Sequence, residues 1–209
     1  LTSQIHQELG NGLERMNIEV TNAQHDALVA YVLLLEKWNK AINLTAVRDP
    51  AQMVSRHILD SLAIKDYVNF ASLADVGAGA GLPGIPLAIL KPHLNVTLID
   101  SVAKKTRFIQ QAAAVLKLAN VKVIHSRVED ITLETEAVVA RAFASPDKLA
   151  ALTAHLLAPG GRLLAMVGQL PSTAALGKIS GFSLIKTAKL TIPDETAERN
   201  IVVLERDPA

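Results

Sequence analysis

The sequence contains no cysteine, which excludes disulfides, thiolate metal sites and a cysteine nucleophile. Aromatic residues make up only 3%, which argues against the stacking platforms of single-strand nucleic-acid binders. The net charge is +1. There is thus no whole-protein basic field, and any nucleic-acid contact must come from a local cluster. No apolar run approaches the ~18 residues of a membrane helix, and Leu1 to Gly10 lacks the cationic start and apolar core of a signal peptide. A cytoplasmic protein without a membrane partner is therefore expected. Repeats and low-complexity segments are also missing. What is present is hydrophobic material, 50% of 209 residues, enough for one substantial core with a small appended element.

The most informative stretch is Asp75-Val76-Gly77-Ala78-Gly79-Ala80-Gly81-Leu82-Pro83-Gly84. An apolar run ends in an acid, glycines alternate, and a helix-compatible segment follows. Such a junction reads as a cofactor cradle. Two frames are open. Gly77-x-Gly79-x-Gly81 is typical of S-adenosylmethionine sites, and Gly79-x-Gly81-x-x-Gly84 satisfies the dinucleotide fingerprint. The first glycine should follow the strand closely, as Gly77 does, and Pro83 lacks the N–H that a pyrophosphate would want. The first frame is preferred. The second leaves an NAD-dependent oxidoreductase as the rival enzyme.

Thr21 with Gln24 forms a capping box ahead of a helix from Asn22 to Lys40, its stripe carried by Leu28, Tyr31, Val32, Leu35 and Trp38. Asp49-Pro50 starts a second helix, Ala51 to Tyr67. On it His57 and Asp60 share a face with Arg56 nearby, either as a surface ion pair or as one edge of a site. No second ligand pair supports a metal there. From Leu73 the pattern alternates. Strands are expected at 73–76, 96–99, 121–124, 137–140 and 162–167, with helices at 83–90, 103–118 and 146–157. This implies an α/β fold with a parallel sheet covered on both faces and a boundary near residues 69–72. Phe182 to Thr191 and Asn200 to Glu205 then form an antiparallel hairpin at the sheet edge. A doubly wound parallel sheet closed by such a hairpin is the outline of the class I methyltransferase fold (Rossmann-like), preceded here by a helical extension over residues 1–70, the main domain spanning 71–209.

Ligands in such sheets bind beyond the carboxyl ends of the strands. Asp100, closing the second strand, can accept ribose hydroxyls or simply favour the next helix N-terminus. Lys104, Lys105 and Arg107 crowd the start of that helix, where the macrodipole disfavours cations. An anionic partner such as RNA phosphate would explain them, and a solvated charge run is the alternative. The loop Ser126-Arg127-Val128-Glu129-Asp130 would border an adenine. Arg141, ending an apolar strand, is hard to explain as surface decoration.

Asn43-Leu44-Thr45, Arg56-His57-Ile58-Leu59-Asp60-Ser61, Asp75-Val76-Gly77, Gly81-Leu82-Pro83-Gly84-Ile85-Pro86, Asp100-Ser101, Ser126-Arg127-Val128-Glu129 and Arg141-Ala142-Phe143-Ala144-Ser145 together resemble the bacterial small-subunit rRNA guanine-N7 methyltransferase family, also called glucose-inhibited division protein B. The resemblance runs from the first long helix to the final hairpin. It implies S-adenosylmethionine as methyl donor and a guanine of 16S rRNA, free or in the small ribosomal subunit, as acceptor; separately from the resemblance, no metal and a monomeric protein are expected. It also implies cofactor contacts from Gly77, Leu82, Val128, Glu129 and Arg141, beside the Gly79, Gly81 and Asp100 read from the motif. Lys104, Arg127 and Arg141 would line the way to the RNA, with Arg127 and Arg141 nearest the chemistry. One departure is Val167, where the family commonly has a lysine before the Gly-Gln that stands here as Gly168-Gln169. It leaves open a substrate contact from the fifth strand, and with it a non-catalytic ribosome-assembly RNA binder.

Overall fold

In the computed structural model residues 1–208 are described. The chain opens with α1 (Thr2–Arg15), a helix the periodicity above does not predict. It buries only a narrow stripe, chiefly Ile5, Leu9 and Leu13. Gly10 and Gly12 weaken its intrinsic propensity, so packing rather than local preference holds it. Helix α2 (Asn22–Ile42) starts at the expected capping box. The Gln24 N–H donates to Thr21 Oγ1 at 3.2 Å, and the Thr21 N–H donates to Gln24 Oε1 at 2.9 Å. It ends at Asn43 in the left-handed region, φ 50°.

The single helix expected over residues 51–67 is instead broken. Asp49 caps α3 (Pro50–Met53) by accepting the Ala51 N–H at 3.0 Å. A π-helical turn, Val54–Leu59, and α4 (Asp60–Leu62) follow, then a 3-10 turn, Lys65–Tyr67. The wider turn shifts the helix face, and both His57 and Asp60 become buried.

Among the described residues, seven strands form one sheet: β1 (Ser72–Val76), β2 (Asn95–Asp100), β3 (Val121–His125), β4 (Thr135–Arg141), β5 (Leu157–Val167), β6 (Phe182–Lys189) and β7 (Asn200–Arg206), in the order β3-β2-β1-β4-β5-β7-β6. The first five strands pair in parallel. β7 enters antiparallel between β5 and β6, because the connection after β6 is too short for a crossover. Helices α5 (Gly84–Leu90), α6 (Ala103–Val115), α7 (Pro146–Thr153) and the short α8 (Thr173–Leu176) complete the chain. Helices α6 and α7 stop short of the expected 118 and 157. β5 begins early and passes through Pro159-Gly160-Gly161 before its regular pairing with β4 resumes at Arg162.

Alternate strand residues feed two cores. Leu73, Val96, Leu98, Val139 and Leu164 pack with α1, α2, α5 and α6. Ala74, Val76, Ile99, Val138 and Ala165 pack with α7 and the segment around Leu176. Ile5, Leu28 and Met53 belong to the first of these cores. The helical extension is therefore a layer on one face of the sheet, sharing its core across residues 69–72. Among the described residues no helix is long and apolar enough to cross a membrane.

Candidate active site

Beyond the end of β1, Gly77, Gly79 and Gly81 all have positive φ (68°, 61° and 86°). Apart from that of Ala80, the amides of this turn are committed internally. Gly77 and Ala78 N–H donate to Ile99 O at 2.9 and 3.1 Å, and Gly81 and Leu82 N–H donate to Ala78 O at 2.8 and 3.0 Å. Gly84 N–H donates to Asp75 Oδ2 at 2.8 Å. A Cβ on Gly84 would stand 2.7 Å from that same oxygen, so this glycine serves helix–strand packing. With Pro83 lacking an N–H, the start of α5 offers no free amides to a pyrophosphate. The Gly79 frame for a dinucleotide, and the NAD-dependent oxidoreductase that goes with it, is thus corrected by the structure.

The turn is tied down from outside. Tyr31 of α2, fully buried, donates its hydroxyl to Ala80 O at 2.5 Å. Burial holds that hydroxyl in its protonated form. Tyr31→Phe leaves the Ala80 carbonyl without this partner, and a loss of roughly 1–2 kcal/mol in unfolding free energy is expected by denaturant titration.

Two cavities lie over the carboxyl ends of the strands. The smaller, about 350 Å³, has Asp100, Ser101, Arg127, Val128 and Glu129 on its walls. The larger, about 960 Å³, runs between the sheet and the helical layer, with His57, Asp60, Leu82, Arg141, Val167 and Arg199 on its walls. Gly77, Lys105, Ala142 and Phe143 line both. Asp100 Oδ2 accepts the Gly79 N–H and Oδ1 accepts the Val102 N–H, each at 2.9 Å. The carboxylate therefore closes the loop and heads α6 at once. About four lone-pair directions are available to it, so it retains capacity for a sugar's hydroxyls.

Across the junction, Arg141 Nη1 donates to Asp60 Oδ2 at 2.8 Å and to the Arg56 carbonyl at 3.0 Å. Asp60, 2% exposed, also accepts from Arg199 Nε at 3.2 Å. The surface ion-pair alternative for His57 and Asp60 is thereby removed, because neither is on the surface. The His57 Nδ1–H donates to the Arg56 carbonyl at 2.9 Å, since a carbonyl only accepts. Nε2 is then the acceptor of the Thr45 hydroxyl at 2.8 Å. Burial, with Arg141 nearby, lowers the His57 pKa to about 4 and keeps the ring neutral.

Asp75 behaves in the opposite sense. It is fully buried and its Oδ1 has no hydrogen-bond partner. Burial raises its pKa to about 7, against the Gly84 N–H and Arg141, which lower it. The native state therefore holds the Asp75 proton more tightly than the unfolded chain, and stability declines as pH rises from about 4 to 7. His57 opposes this, its contribution being lost as pH falls from 6.5 toward 4. Asp75→Asn keeps an acceptor for the Gly84 N–H. Its stability relative to the parent chain should increase by on the order of 2–4 kcal/mol between pH 4 and pH 8, read from urea titrations at both. A difference independent of pH would remove the raised carboxyl.

The family model described as GidB, rRNA small subunit methyltransferase G, matches residues 24–202. The chain belongs to this family. Two curated relatives carry the name ribosomal RNA small subunit methyltransferase G. That of Pseudomonas syringae pv. tomato is 44% identical over 208 residues, covering 99% of either chain. That of Pseudomonas putida is 43% identical over 210 residues, covering 99% of this chain and 97% of the relative. Among solved structures, a SAM-dependent methyltransferase from Aquifex aeolicus superposes with a TM-score of 0.61 at 15% identity. The match covers 78% of this chain and 97% of that one. The likeness confirms the class I methyltransferase fold.

Within this member of the family, the structure distributes the expected site residues unevenly. Gly77, Gly79, Leu82 and Arg141 line the larger cavity, whereas Asp100, Arg127, Val128 and Glu129 line the smaller. Gly81, within the turn, is buried and lines neither cavity. Arg127 and Arg141 thus stand in different chambers rather than together. Lys104 is exposed and lies on neither wall. Lys105 lies on both, with Nζ 3.9 Å from Asp100 Oδ2. Tyr31 and Arg199 carry no local signal for a site; the fold places Arg199 on the larger cavity's wall and ties Tyr31 to the glycine turn outside both cavities. Phe143 was within a family motif but had no assigned role. Among the described residues, one group could hold a metal ion, namely His6, His25 and Asp26 on α1 and α2. None of the three lines either cavity.

Proposed function

We propose that the enzyme transfers a methyl group from S-adenosylmethionine to N7 of a guanine in 16S rRNA. The observation that carries this is the meeting of two chambers over Gly77, one headed by Asp100 and the other by Arg141, in a chain of the rRNA small subunit methyltransferase G family. The donor set fits. Asp100 would hold the ribose, Val128 and Glu129 the adenine, and Gly77, Gly79 and Leu82 would pass the rest of the molecule toward Arg141. When bound, the donor supplies a methyl on a cationic sulfur, already electrophilic. Guanine N7 carries an in-plane lone pair and no proton, so the chain needs no general base. The neutral His57, turned to Thr45 and the Arg56 carbonyl, is consistent with that.

The protein's task is then placement, with N7 in line with the breaking bond at near-attack distance. The methylated base is cationic. Arg141 should therefore face O6, a phosphate or the donor's carboxylate rather than N7. The major groove of an RNA helix is too narrow for side chains, so the target base must be unpaired or turned out. Arg56, Lys105 and Arg199 on the cavity walls would meet its phosphates. Transfer of labelled methyl to unmodified small-subunit RNA, followed by nucleoside analysis, should yield 7-methylguanosine. Label on another nucleoside would overturn the N7 assignment, and RNA binding without transfer would favour the non-catalytic binder.

A further inference from the structure

Phe143 is 42% exposed, the one aromatic among the described large hydrophobic residues left in solvent. It follows Ala142, which adopts the left-handed region at φ 51°, uncommon for a residue with a side chain. The reversal carries the ring over Gly77. A Cβ there would lie 2.2 Å from Phe143 Cδ2 and 2.8 Å from Cε2, so only glycine admits it. The ring stands on the wall shared by the two cavities, between the Asp100 chamber and the one containing Arg141. A donor reaching from Asp100 across Gly77 would present its methyl at this junction.

Resting on the methyl-transfer reading above, we propose that Phe143 is the stacking surface for the acceptor guanine. Three physical points support it. A hydrogen-bond donor at N7 would consume the lone pair that must attack, whereas a stacked ring fixes the plane of the base and leaves its edge free. A ring face also attracts a cation more than a neutral partner. It therefore favours the base as positive charge develops on it, which is the differential binding that raises turnover. Finally, Val128 and Glu129, which would hold the donor's adenine, line the Asp100 chamber alone, whereas Phe143 also lines the Arg141 chamber. A chain poor in aromatics needs only this one for a single flipped base.

The test compares Phe143→Leu, Phe143→Tyr and Phe143→Trp, using unmodified small-subunit RNA for methyl transfer and calorimetry with S-adenosylmethionine alone for donor binding. Phe143→Leu should lower kcat/KM for RNA by about ten- to a hundredfold, with the donor Kd within about threefold of the parent. The Tyr and Trp variants should retain most activity. The inference is overturned if Phe143→Leu matches the parent. It is equally overturned if the Leu variant loses donor affinity by the same factor as activity, or if Tyr and Trp fail as badly as Leu. Loss of activity with every aromatic variant folded by circular dichroism counts as this last outcome. A parent enzyme inactive on that RNA overturns both proposals, while an active parent equalled by the Leu variant overturns this one alone.

Discussion

Arg141→Ala is expected to lower kcat for methyl transfer by about a hundredfold or more, the cost of removing one preorganised charged donor from a reaction centre. The structure adds a second expectation. Arg141, its side chain 22% exposed, is the partner of the buried Asp60, whose side chain is 3% exposed. Truncation leaves Asp60 with Arg199 alone, whose Nε lies 3.2 Å away. Breaking a buried pair typically costs about 3–5 kcal/mol, and the remaining arginine should hold the loss nearer the lower end. Arg141→Ala should thus unfold at visibly lower urea concentration as well as turn over slowly. Arg141→Lys separates the two effects. It restores a positive charge beside Asp60 but not the planar fork, so most stability should return while turnover stays depressed. Equal recovery of both would make Arg141 a structural residue and withdraw it from the site.

Asp100→Ala is expected to raise the KM for S-adenosylmethionine by roughly ten- to a hundredfold, the worth of one or two hydrogen bonds to a charged group, with kcat at saturating donor changed much less. The same carboxylate accepts the Gly79 and Val102 amides, so a stability loss of about 1–3 kcal/mol should accompany it. Steady-state kinetics at fixed RNA with varied donor decides the matter. A large fall in kcat at unchanged donor KM would mean that Asp100 does not serve the donor. The two substitutions should therefore separate by kinetic signature: Asp100 in KM, Arg141 in kcat.

Much of the site was legible in the chain itself. Glycines at alternate positions after Asp75, an acid closing β2 and an arginine closing β4 are local patterns, and a parallel sheet necessarily delivers its strand ends to one rim. Thr21 with Gln24, and Asp49 with Pro50, marked helix starts that the structure keeps. The hairpin at the end followed from loop length alone. Conversely, α1 went unpredicted although Ile5, Leu9 and Leu13 recur at helical spacing; only the low intrinsic propensity of Gly10 and Gly12 argues against a helix there. The π turn at Val54–Leu59 was illegible because it departs from the helical period on which such reading depends.

The alternation of strands and helices, the glycine turn and the residues at the strand ends are set along the chain, because each depends on side-chain periodicity and backbone freedom within a few residues. Tertiary structure alone decided which groups face one another. Arg141 and Asp60 are 81 positions apart, Arg199 and Asp60 139, and Tyr31 and Ala80 49. Contacts at such separations arise only when the helical layer packs on the sheet. That burial also moves Asp75 and His57 from their ordinary pKa values. Desolvation belongs to the assembled interior and has no counterpart in the order of the residues.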